Sequence, residues 1–167
     1  MKSLPDIDAA LRDHGAMLFR IASGYTRTGA ARDDLVQDMS VALWKALPAY
    51  RGDGPLKAFV ARIAQFTALD HVKRRVNRVD TASLDEHLES NAMRPDQYAR
   101  GVQDRNRLLD AVRGLPGGQR ECVLLVLEGF GNREIAGILG VTDNTVDQRL
   151  SRARQQLRRI LGADNEQ

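Results

Sequence analysis

The chain has 167 residues, a formal net charge of +3, 28% charged residues and a single cysteine. That length holds one ordinary domain or two small ones. No apolar run reaches the length of a membrane span, Met1 to Asp8 lacks the apolar stretch of a secretory leader, and Cys122 has no second cysteine to pair with; a cytosolic protein without internal disulfides is expected.

Arginine far outnumbers lysine. Its planar fork suits phosphate and base edges, although an arginine-rich coding bias would give the same excess.

The first block runs from about Pro5 to Arg78. Ile7, Leu11, Leu18, Ile21 and Tyr25 share one helical face, with His14 in the same stripe. Thr28-Gly29-Ala30 is expected to break this helix. The next is predicted to begin near Asp33, where two acids suit the positive end of the helix dipole. Its apolar positions are Leu35, Met39, Leu43 and Leu47, with Trp44 beside them, and Pro48 stops it. Residues 48–55 are dense in turn formers, and Tyr50 between Pro48 and Gly52 is expected to project freely. A third helix carries Leu56, Phe59, Val60, Ile63 and Phe66 at helical spacing and ends in His71, Lys73, Arg74, Arg75 and Arg78.

From Asp80 the apolar periodicity lapses and acids outnumber bases, as in a flexible linker. Residues 1–79 therefore read as one domain, 80–101 as a linker and 102–167 as a second domain. The second opens with a helix around Leu108, Leu109 and Val112. Pro116 starts another, which carries Cys122, Leu125 and Val126. No strand pattern is present, so the fold class is all-α: two small helical domains, the second containing a helix-turn-helix.

That motif runs from Arg133 to Val146. Ile135 and Leu139 face inward, Ala136 lets a second helix cross closely, and Gly140 takes the tight turn. Thr142 is placed to cap the next helix, and Asp143 suits its first turn. Val146 and Leu150 anchor that helix. Its outer face displays Gln148, Arg149, Ser151, Arg152, Arg154, Arg158 and Arg159, which suits a major groove.

Two sets of residues resemble extracytoplasmic-function sigma factors. The run from Leu115 to Leu125, then Glu128-Gly129, Glu134-Ile135-Ala136, Thr145-Val146 and Arg149 to Arg154, is similar to region 4 of that family. Asp33 to Asp38 with Leu43-Trp44, then Tyr50 to Asp53, Phe59 to Ala64 and Asp70 to Arg75, are similar to region 2. The resemblance implies a factor that carries core RNA polymerase, through its β′ and β subunits, to promoter DNA and helps open it. Asp33, Asp34, Gln37, Asp38 and Trp44 would dock on polymerase. Tyr50, Arg51, Gly52, Asp53, Arg62, Gln65, Lys73, Arg74 and Arg75 would meet the −10 element. Arg133, Thr142, Asn144, Thr145, Asp147, Gln148, Arg149, Arg152 and Arg154 would meet the −35 element. The resemblance also implies an anti-sigma factor, which could hold an otherwise cytoplasmic protein at the membrane.

This chain has Phe59 where many members have Trp, Phe66 where many have Asn, and Asp147-Gln148 where many have a basic residue and a serine. Two readings of Asp147 stay open: it accepts from cytosine N4, or it orients Arg149 or Arg154.

The second block alone would equally fit a stand-alone helix-turn-helix regulator, and an interaction module is a third class. No metal-ligand spacing, phosphate-binding glycine motif or catalytic pair is present, so no cofactor, metal or enzymatic activity is expected.

Overall fold

The computed structural model describes residues 5–79 and 98–163. Helix α1 spans Ile7–Ser23, α2 Gly29–Ala46, and α3 Leu56–Val79. Helix α4 spans Tyr98–Arg113, α5 Gly117–Leu127, α6 Asn132–Leu139 and α7 Asp143–Ala163. No strand occurs among the described residues.

In the first block α1, α2 and α3 pack on one another. Leu18, Ile21, Leu35, Met39, Leu43 and Val60 are fully buried, each worth roughly 1.5–3 kcal/mol relative to exposure. Helix α3 contributes Ala61, Ala64 and Ala68 at i, i+3 and i+7, also buried. Their small side chains let the other two helices approach closely. The Tyr25 hydroxyl, just past α1, donates to Gln65 Oε1 at 2.6 Å inside this core. Burial pushes the Tyr25 phenol above its ordinary range, so it stays a donor.

Two helix starts differ from expectation. Helix α2 begins at Gly29 rather than near Asp33, because Thr28 caps it: Thr28 Oγ1 accepts from the Ala31 N–H at 3.1 Å. A threonine before two small residues is a cap here rather than a break. Helix α4 begins at Tyr98, so residues 98–101, expected in the linker, are helical. The rest of that linker lies outside the described residues. Pro48 acts as expected: α2 ends at Ala46, and Pro48 sits in the 3₁₀ turn Leu47–Ala49.

The second block buries Val112, Leu115, Cys122, Leu125, Ile135, Val146, Leu150 and Ala153. Burial raises the Cys122 thiol, which therefore behaves as a small core hydrophobe. The helix-turn-helix forms as its residues dictate. Gly140 is left-handed at φ 67°, the Val141 N–H bonds the Ala136 carbonyl at 3.0 Å, and Thr142 Oγ1 accepts from the Thr145 N–H at 3.1 Å. The two blocks pack on each other: α6 packs on α3 and the buried cluster is continuous across both.

Candidate nucleic-acid and protein interfaces

Three surfaces carry the exposed side chains among the expected site residues. The first is the outer face of α2. Leu35, Met39 and Leu43 take its inner side, which turns Asp34, Gln37, Val41 and Trp44 outward together. Trp44 is 60% exposed and Val41 46%, so an apolar patch sits beside carboxylates with no intramolecular cover. Asp33 lies 3.8 Å from the Arg32 guanidinium. Asp38 turns to α3, its Oδ2 3.8 Å from His71 Nδ1. Trp44, expected beside the core stripe, is thus a surface residue.

The second surface joins the loop 50–55 to α3. Tyr50 does not project freely. Its ring packs 5.1 Å from that of Phe59, and its hydroxyl donates to the Gly54 carbonyl, closing the loop on itself. Arg51, Gly52 and Asp53 form the exposed tip, with Gly52 at φ 79°. On α3 the exposed groups are Arg62, Phe66, Lys73 and Arg74, while Arg75 is half-buried. Gln65 is 1% exposed and hydrogen-bonded to Tyr25, so it lies in the core of this structure and not on the surface where the expected contacts sit. The reason is its register: it continues the stripe of Ala61, Ala64 and Ala68, whose small side chains did not register as apolar periodicity. Phe66 was not among the expected contacts, yet it is 49% exposed and the Arg62 guanidinium lies 5.5 Å from its ring centroid. The signal was its departure from the asparagine that the resemblance implies at this position.

The third surface is the helix-turn-helix. Asn144, Gln148, Arg152 and Arg154 are exposed along α7, and Thr145 is half-buried near its start. Thr142 is occupied as the cap, its hydroxyl also 2.8 Å from that of Thr145. Arg133, at the start of α6, has a 94% exposed side chain and lies 3.9 Å from Asp143. Asp147 orients neither Arg149 nor Arg154. Its Oδ1 accepts from Asn132 Nδ2 at 2.6 Å, tying α7 to the start of α6. Arg149 turns inward, 3.9 Å from Glu121, over a Gly118 whose absent Cβ would meet the guanidinium at 2.9 Å. Arg149 thus braces α7 on α5 rather than standing beside Arg152 on the outer face.

Burial pushes the Glu121 carboxyl above its ordinary 4.5, and Arg149 and Arg120 oppose this without cancelling it. A raised carboxyl favours the neutral form in the fold, so ionisation costs stability at neutral pH, and the cost is relieved as pH falls towards 4.5. Glu121→Gln is therefore expected to raise the thermal midpoint at neutral pH, with the gain shrinking on acidification. A lower midpoint for Gln at neutral pH would show that the Arg149 pair outweighs the burial cost.

Among the described residues no three His, Cys, Asp or Glu side chains converge as metal ligands, and no helix is long and apolar enough to cross a membrane.

Residues 10–78 match the family model for sigma-70 region 2, and residues 105–157 that for sigma-70, region 4. The extracytoplasmic-function sigma factor SigM of Mycobacterium tuberculosis is 31% identical over 156 residues, covering 93% of this chain and 76% of SigM. The sigma factor CnrH of Cupriavidus metallidurans is 29% identical over 162 residues, covering 92% of this chain and 85% of CnrH. The solved complex of CnrH with the cytosolic domain of CnrY superposes with TM-score 0.69 at 26% identity, over 95% of this chain and 88% of that one. The sigma factor RpoE of Bartonella quintana, solved with the anti-sigma factor NepR, gives 0.72 at 27% identity, over 92% and 96%.

Proposed function

The chain belongs to the extracytoplasmic-function sigma factors of the sigma-70 family, and from that premise we propose how its surfaces divide the work. Such a factor binds core RNA polymerase, directs it to promoters and promotes DNA opening. The polymerase performs the chemistry, so the residues here bind and position and are not expected to catalyse.

The outer face of α2 docks on polymerase: Trp44 and Val41 supply the apolar centre, and Asp33, Asp34, Gln37 and Asp38 the acidic surround. The observation that carries this assignment is Trp44 at 60% exposure with no core role to explain it. Arg51, Gly52 and Asp53 at the loop tip, with Arg62, Lys73, Arg74 and Arg75 on α3, meet the −10 strand, while Tyr50 holds the loop's shape from beneath. Phe66 joins this set. An exposed ring with a guanidinium over it offers a stacking face to an unpaired base. Asn144, Thr145, Gln148, Arg152 and Arg154 enter the groove at −35, Arg133 reaches the adjacent backbone, and Arg149 and Asp147 orient the helix that carries them.

We place the working domains at residues 5–79 and 98–163, joined by 80–97, and the protein in the cytoplasm, where polymerase and promoters are. The two solved relatives were captured with CnrY and with an anti-sigma factor, which supports an anti-sigma partner here.

Run-off transcription with purified core polymerase tests the reading. A specific transcript is expected only when both components are present, and binding to promoter DNA with equal specificity without polymerase would favour the stand-alone regulator. In the same system Phe66→Ala is expected to reduce permanganate reactivity at the −10 strand by about tenfold, from a stacking contribution of roughly 1–3 kcal/mol per base. Undiminished reactivity refutes the stacking role.

A further inference from the structure

The bond that ties α7 to the start of α6 uses only one oxygen of Asp147. Asp147 Oδ1 accepts from Asn132 Nδ2 at 2.6 Å. Its Oδ2 has no hydrogen-bond or ion-pair partner among the described residues. Asn144, Asp147, Gln148 and Ser151 stand at i, i+3, i+4 and i+7 of α7 and form one exposed stripe. Val146, Leu150 and Ala153 take the buried side of the helix. Asp147 is the one charged member of the stripe.

The ordinary reasons for a carboxylate at this place do not hold. An acid stabilises a helix within its first turn, but Asp143 occupies that turn and Asp147 lies a turn further on. It does not pair with the neighbouring arginine, since Arg149 turns to Glu121 at 3.9 Å. The α6–α7 turn does not need it as a staple: Gly140, the Thr142 cap and the buried Ile135 and Val146 fix that turn. A carboxylate also repels phosphate, so it adds nothing to general DNA affinity.

We propose that Asn132 and Asp147 act as one specificity-determining unit for the −35 element: Asp147 Oδ2 accepts from the exocyclic amine of a base, and Asn132 is its positioning residue. The inference rests on the sigma-factor reading and adds a base rule to it. An ionised carboxylate only accepts hydrogen bonds. In the major groove the amines are cytosine N4 and adenine N6, whereas guanine O6 and thymine O4 are acceptors that a carboxylate repels. The unit therefore selects by exclusion as much as by attraction. An untethered aspartate would carry its oxygens through several rotamers. With Oδ1 held by the Asn132 amide, Oδ2 is fixed before DNA arrives, and less ordering is needed on binding. Arg133, Arg152 and Arg154, exposed on the same surface, supply the phosphate contacts that offset the acid.

Run-off transcription of a library randomised across the −35 element, with core polymerase and the full chain, tests this. The unsubstituted chain should favour cytosine or adenine over guanine and thymine by about tenfold at one position of one strand. Asp147→Ala should flatten that preference through two changes of opposite sign. Promoters carrying the amine should give less transcript, and those carrying guanine or thymine there should give more. A mere staple would lose on all promoters alike. Asn132→Ala leaves the carboxylate in place and should narrow the preference at the same position and at no other. The library shows which base supplies the amine. Promoters with that base replaced by its analogue lacking the amine, 2-pyrimidinone for cytosine or purine for adenine, then test the contact itself. The replacement should cost the unsubstituted chain about tenfold and Asp147→Ala nothing. This arm needs no substitution in the protein, so a variant that folds poorly leaves the test intact. No amine preference at any position, a uniform fall across the library for Asp147→Ala, full discrimination by Asn132→Ala, or an analogue transcribed as well as its parent base would each overturn the proposal. Failure of the sigma reading is seen separately, as no transcript from any library member. Selection of the same library by direct binding then still measures the base preference of α7.

Discussion

Trp44→Ala is expected to weaken binding to core RNA polymerase by about two orders of magnitude while leaving the fold untouched. Buried tryptophans at the centre of an interface are the residues whose truncation costs most, typically ~2–4 kcal/mol. Trp44 is 60% exposed in the free chain, so more than half of its surface is available to be covered by a partner. It also contributes little to the core, which α2 fills with Leu35, Met39 and Leu43. The expected signature is therefore a large loss of affinity with an unchanged unfolding midpoint. Asp34→Lys on the same face should act differently. An exposed rim charge changes association rate and its salt dependence more than the lifetime of the complex. Fluorescence competition against labelled wild-type chain measures both, and an affinity for Trp44→Ala within a factor of three of wild type would remove α2 from the polymerase interface.

The second large effect is expected at Ile135→Ala. Ile135 is fully buried on α6, where the helix-turn-helix crosses α7. Truncating a buried isoleucine costs about 2–5 kcal/mol, by lost transfer energy and by the cavity left behind. Helix α6 has only eight residues, too short to stand without its packing. The variant should lose protection of the −35 element in footprinting while still binding polymerase through α2, because the first block has its own core. Denaturant unfolding should show the loss of stability directly. A cost below about 1 kcal/mol would mean that the neighbours collapse into the space, in the way that makes such costs vary from site to site.

Much of this was legible beforehand wherever the determinant was local. The helices followed from apolar residues at helical spacing, and the turn of the helix-turn-helix from a glycine, a valine and a capping threonine within three positions. Gly140 and Thr142 do what their chemistry dictates, because a left-handed turn and an N-cap are satisfied by the residue and its immediate neighbours. The family could be named for the same reason: its motifs are short runs at fixed offsets. The start of α2 was legible in principle, since Thr28 is a cap residue, but the small residues after it suggested a break.

The misplaced side chains share a different cause. Gln65, Tyr50, Arg149 and Asp147 are polar residues on faces expected to meet DNA or solvent, and each is occupied within the fold: by Tyr25, by Phe59 and Gly54, by Glu121, and by Asn132. Periodicity assigns a helix its apolar face, but a polar side chain at the edge of that face can turn either way. The choice depends on which acceptor or donor another helix happens to bring within 3 Å or so.

By itself, then, the sequence determined the helices, the Thr142 cap, the helix-turn-helix and the family, because each is encoded by residues within a few turns of one another. The tertiary structure alone decided which polar groups remain free to bind, and it brought Arg20 against Glu128 across 108 positions of chain. A contact of that span leaves no periodic trace. It exists only because packing the first block onto the second places a guanidinium and a carboxylate face to face, and no local pattern in either helix specifies the other.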